Sequence, residues 1–143
     1  MIDLQAILPL TALQALIGFA VWTLCLVTGV FLYRGLRFVL GTPINSWPRG
    51  AKVVIDPPLV KRLEDAHANC LENLSVFAVL VLAAVALGRQ EYFAVEASCV
   101  LYARIGQSLA HLLGIGPMHV FVRASFWSMQ LGLMLWMAFK LLT

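Results

Sequence analysis

Charge is scarce in this sequence. Only 12% of its 143 residues are Asp, Glu, Lys or Arg, about half of the roughly 25% usual in soluble domains. Hydrophobic residues make up 62%, and the mean hydropathy is +0.90. That balance excludes an ordinary water-soluble domain. Cysteine is equally sparse: Cys25, Cys70 and Cys99 are isolated and odd in number. No Cys-x-x-Cys or His/Cys cluster occurs, so neither a disulfide framework nor a metal site is expected, and the three read as apolar filler. The start, Met1-Ile2-Asp3-Leu4, lacks a basic region, and the apolar run that follows reaches Tyr33 without a small-residue cleavage site. That pattern is expected of a membrane helix rather than a signal peptide. Internal repeats and low-complexity tracts are absent, as is any Ser-His-Asp or metal-ligand spacing. The net charge of +3 does not imply nucleic acid, because the basic residues are scattered along helices and their ends.

What is present is four apolar segments, about 8–33, 74–87, 92–113 and 120–142. A bilayer span needs about 20 such residues, so the expected fold is an all-α, integral membrane four-helix bundle of one domain, residues 1–143, with the lipid bilayer as its solvent. Turn residues fill Gly41 to Gly50, and Trp47 is suited to the headgroup level. Pro57-Pro58 suits a first helical turn, which extends the second helix to about 57–87. The first connection carries Arg34, Arg37, Arg49, Lys52, Lys61 and Arg62, against only Arg89 in the second. The positive-inside rule therefore puts the first connection in the cytoplasm and both termini on the other side. Asn73-Leu74-Ser75 matches a glycosylation sequon but falls in the cytoplasmic half of a helix.

The second helix is the informative one. Its apolar stretch, Leu74 to Leu87, is too short for a core of about 30 Å, so Asn69, Glu72 and Asn73 enter or border the bilayer. The third helix carries Arg104 near its middle. Polar groups at such depth are expensive, face the bundle interior and mark function. Counting back from the Arg89-Gln90 turn sets Arg104 level with Ser75, one turn from Glu72, and predicts a Glu72–Arg104 ion pair. The same count sets His111 beside Asn69. Counting from Gly116-Pro117 brings Arg123 to that layer. Arg104, Gln107, Ser108 and His111 recur at i, i+3, i+4 and i+7, one helix face. His67 points elsewhere, and His119 falls in a loop. Each of these residues also has a structural reading: the ion pair as a helix lock, Arg123 as a snorkelling anchor, and His111 as a packing residue.

At Arg62-Leu63-Glu64-Asp65-Ala66-His67-Ala68-Asn69-Cys70-Leu71-Glu72 the sequence resembles the MAPEG family, the membrane-associated proteins in eicosanoid and glutathione metabolism. That family's second helix reads R-x-x-R-A-x-x-N-x-x-E; Arg62, Ala66, Asn69 and Glu72 match it in order and spacing. The third helix is similar through Tyr102-Ala103-Arg104-Ile105-Gly106-Gln107-Ser108-Leu109-Ala110-His111. Arg123, after a short proline-containing loop, matches the family arginine near the reactive thiol. The resemblance spans about residues 57–128. It implies a homotrimer with glutathione as cosubstrate, bound between neighbouring protomers near the cytoplasmic side. Arg62, Asn69, Glu72, Arg104, Gln107 and His111 would form the binding set, and Arg123 would stabilise the thiolate. The implied activity is a glutathione-dependent transferase or peroxidase acting on lipophilic small molecules that arrive from the bilayer.

Several positions depart from the family pattern. Asp65 replaces the second motif arginine, Ala68 stands where some members are basic, Gln107 replaces a frequent histidine, and His111 replaces a tyrosine. Glutathione has two carboxylates, which arginine binds through a planar fork, so Asp65 reverses an attraction there. Arg34 and Arg37 are candidates to compensate. Two other functions compete with the enzyme. One is a diverged, non-catalytic scaffold or lipid-binding protein of the same fold. The other is a transporter or channel, which needs a continuous polar path that the apolar run from Val76 to Leu87 opposes.

Overall fold

The computed structural model describes residues 10–48 and 54–143. Arg49 and Lys52, two of the charges expected to set topology, lie outside that range. Helix α1 spans Ala12–Val39, α2 Pro58–Ala86, α3 Ala94–Leu113 and α4 Pro117–Leu142. Among the described residues the regular structure is entirely helical, with 3-10 turns at Ile44–Ser46 and Gln90–Phe93. Both α1 and α2 are long and apolar enough to cross a membrane.

Local chemistry sets the helix ends. Thr11 caps α1 with a reciprocal box: its hydroxyl accepts from the Gln14 N–H, and the Gln14 side chain accepts from the Thr11 N–H. Two otherwise unpaired donors are satisfied in this way. Pro58 and Pro117 occupy first-turn positions, where a missing N–H costs nothing. Gly88, at φ 66°, makes the sharp exit from α2, a conformation that favours glycine.

Helix α1 continues six residues past Tyr33, the expected end. Arginine ends a bilayer span but not a helix, and here the extra turns carry Arg34 onto α2. Its guanidinium pairs with Glu64, lies 3.8 Å from Asp56 and stands over the Trp47 ring at 5.6 Å. The Trp47 indole N–H donates to Asp56 at 2.9 Å, so the tryptophan belongs to this cluster. Helix α4 begins three residues earlier than expected, at Pro117.

The core is a layered seam in which α1 lies chiefly against α2 and α4 against α3. Helix α3 is the most enclosed, with ten buried residues against three in α4. Phe19 and Phe77 meet at 5.6 Å between ring centres, with Val81, Val100 and Met137 buried in the same core. A chain of side-chain amides crosses three helices. Gln130 on α4 donates to Gln107 on α3 at 2.8 Å and to the Phe126 carbonyl at 3.0 Å, and accepts from Asn73 on α2 at 3.4 Å. Asn73 is thereby engaged inside the bundle.

Gln130 is wholly buried, so Gln130→Leu strands the Gln107 carbonyl and the Asn73 amide. Interhelical hydrogen bonds in membranes average about 0.6 and reach about 1.7 kcal/mol. We expect a loss in that range, read as a lower Tm in detergent. The double variant Gln107→Leu/Gln130→Leu recovers part of it, because the stranded acceptor goes too.

Candidate functional site

Helix α3 presents one polar face. Arg104, Gln107, Ser108 and His111 are all buried, and with Ala66 and Asn69 of α2 they line a narrow crevice. Arg104 is 0% exposed. Its guanidinium stands over the Phe19 ring at 5.5 Å, a favourable cation–π arrangement. None of its three nitrogens has a hydrogen-bond partner. Ser108 donates to the Arg104 carbonyl at 2.9 Å and lies 3.7 Å from the Cys70 thiol. Cysteine read as apolar filler thus borders the crevice.

The predicted Glu72–Arg104 ion pair does not form. Glu72 is exposed on the surface of the protomer. Counting along the hairpin finds the right level but ignores rotation about the helix axis. At about 100° per residue, Glu72 lies about 200° round from Cys70, whose side chain is buried toward the core. Glu72 therefore does not line the crevice, although it stays within electrostatic range of Arg104.

Nearer the Arg62 end of α2 the nitrogen-rich character continues. His111 Nε2 lies 3.9 Å from Asp65 Oδ2, and the Asp65 side chain is 52% exposed. His111 Nδ1, Arg62 Nε and Arg123 Nε are buried without hydrogen-bond partners. Arg62 and Arg123 both lie within electrostatic range of His111. Asn69 and Arg123 are half-buried. Four residues thus gather orphaned nitrogens at one end of the bundle, where a buried donor without an acceptor costs about 1–3 kcal/mol. Gln107 differs, because its carbonyl is committed to Gln130. Arg34 is committed as well, to Glu64 and Asp56. Arg37 donates to Thr42 at 3.2 Å. Neither arginine replaces the charge missing at Asp65.

In the single protomer the crevice has no room for even a water molecule, against about 300–1,000 Å³ for ligand sites. Phe19, against the Arg104 guanidinium, meets Phe77 at 5.6 Å, and both rings are fully buried. Gln130 and Phe19 were not singled out from sequence. The signal for Gln130 was available: one amide between Phe126 and Lys140 in an otherwise apolar helix. Nothing in the spacing marks Phe19.

The family model described as the MAPEG family matches residues 12–143, so the chain belongs to the MAPEG family. Comparison with curated proteins and with solved structures gave no match.

An unpaired buried charge destabilises its host, and apolar residues of similar volume replace buried ions with gains of about 1–4 kcal/mol. Arg104→Met is expected to raise the Tm of the purified protein without added ligand. A lower Tm would show that Arg104 contributes stability in the free protein.

Proposed function

We propose that this MAPEG protein is a membrane-embedded, glutathione-dependent transferase or peroxidase acting on lipophilic electrophiles, and that it works as a homotrimer. The observation that carries the reading is the group of orphaned nitrogens on Arg62, Arg104, His111 and Arg123. Such a set suits a tripeptide with two carboxylates and a thiolate, since charge-assisted bonds from arginine are short and strong. Glutathione supplies a thiol, and its thiolate is the nucleophile.

The chain's own residues divide the work. Arg62, Asn69 and His111 sit at the mouth and offer donors to the carboxylates. Arg104 lies deeper, on a floor made dry by Phe19. Arg123, half-buried at the start of α4, favours an anion beside it and so holds the sulfur in its charged form. Gln107 fixes α4 to α3 through Gln130 and keeps Arg123 in register.

Two features support a trimer. One protomer's crevice is too small for the tripeptide, so a neighbour supplies the remaining wall. Glu72 faces outward from a helix that crosses the bilayer, and a bare carboxylate in lipid is costly; an adjoining copy provides it with polar company. Arg34, Arg37, Lys61 and Arg62 cluster at the same end as the crevice, which supports a site on the cytoplasmic side of a four-span protein with both termini opposite.

A second reading keeps the fold without the chemistry. It is favoured by Asp65, whose carboxylate faces His111 at 3.9 Å and competes with an incoming carboxylate. The two readings separate in ultraviolet absorbance of the purified protein with glutathione. The enzyme reading predicts a saturable thiolate band that Arg123→Ala removes, with turnover falling on the order of 10²–10³ and the trimer retained. Absence of binding at millimolar glutathione supports the scaffold. Asp65→Arg removes the competitor and is expected to tighten glutathione by about 1 kcal/mol, roughly fivefold in Kd. An unchanged Kd would mean that position 65 does not face the tripeptide.

A further inference from the structure

The end of the bundle remote from the crevice holds a larger recess. It measures about 470 Å³ and is lined by Arg89, Tyr92, Phe93, Glu96, Trp136 and Lys140. Arg89 comes from the α2–α3 turn, and Trp136 and Lys140 from the last turns of α4. These positions mark one edge of the bilayer, where basic and aromatic residues commonly anchor a helix. Three features go beyond anchoring. Arg89 is held in place, donating from Nη1 to the Lys140 carbonyl at 3.2 Å. The Lys140 ammonium is held over the Trp136 ring at 5.0 Å. Glu96, half-buried in the same wall, is spent on neither cation: among the described residues no carboxylate–cation contact within 4.0 Å involves it.

A concave site with two fixed cations and one unspent carboxylate is complementary to a ligand that carries both signs. Phe93 forms its buried apolar floor, and its volume lies within the range of about 300–1,000 Å³ of small-molecule sites. We infer that this recess binds the headgroup of a phospholipid bearing a primary amine, as in phosphatidylethanolamine. The phosphate lies between Arg89 and Lys140, and the ammonium donates to Glu96 beside Tyr92. The acyl chains run down the outer surface of α3 and α4. A choline headgroup lacks the N–H that Glu96 would accept. A glycerol headgroup leaves Glu96 without a counter-charge. The assignment is independent of glutathione, whose proposed site is at the other end.

Native mass spectrometry of the full-length protein, released from detergent with equimolar phosphatidylethanolamine, phosphatidylcholine and phosphatidylglycerol, tests it. The expected result is at least fivefold preferential retention of phosphatidylethanolamine. Glu96→Gln should bring that preference close to one, and Arg89→Ala should reduce retention of all three lipids. Both residues lie at the protein surface and outside the crevice, so glutathione binding serves as a folding control. Equal or stronger retention of phosphatidylcholine or phosphatidylglycerol by the unaltered protein overturns the proposal, as does no retained lipid. Preference unaffected by Glu96→Gln overturns it too.

Discussion

A guanidinium sealed inside an apolar bundle is the constraint around which this protein is arranged. Arg104 has no exposed surface and no hydrogen-bond partner on any nitrogen. Its compensation within the protomer includes the face of Phe19 at 5.5 Å, where a cation–π contact recovers about 2 kcal/mol when desolvated, and the nearby Cys70 thiol and Glu72 carboxylate. Burying an unpaired charge costs several kcal/mol even after relaxation. The difference is stability given up in the free protein, which under the proposed function is recovered when an anionic ligand binds. Binding sites are commonly built in this way, with donors preorganised before the ligand is present.

Several polar groups are engaged: Gln130 reaches Gln107 and Phe126, Ser108 reaches the Arg104 carbonyl, and Arg34 is held by Glu64 and Asp56, although Arg34 Nε and Trp22 Nε1 are buried without partners. Arg62, Arg104, His111 and Arg123 around the crevice likewise keep orphaned nitrogens. Asp65 modifies the same electrostatics from the rim, where partial exposure weakens its effect.

Much of this was legible in the sequence because helical periodicity is strict. The i, i+3, i+4, i+7 recurrence from Arg104 to His111 identified the polar face of α3, and all four residues are buried. Proline at a first-turn position located the start of α2, whereas Pro117, assigned to the turn, opens α4. Charge misled in one place: Arg34 ended the apolar run but not α1, since the helix continues wherever tertiary partners such as Glu64 await it. Rotation misled in another. Hairpin counting gives height along the bundle and says nothing of azimuth, so Glu72 was paired with Arg104 although it does not line the crevice. Gln130 went unremarked because a single amide carries no spacing. Its role depends on Gln107 and Asn73, which lie 23 and 57 residues away in the chain.

The central claim is that the orphaned cations of the crevice await an anionic tripeptide. It is tested most directly by thermal unfolding of the unaltered, detergent-solubilised protein across a glutathione titration. Ligand that binds only the folded state adds RT ln(1 + [L]/Kd), about 2.7 kcal/mol at a hundredfold excess over Kd. The account predicts a Tm that rises with glutathione concentration along this curve and does not rise with an equal concentration of a neutral tripeptide. A Tm that stays flat through millimolar glutathione would contradict it.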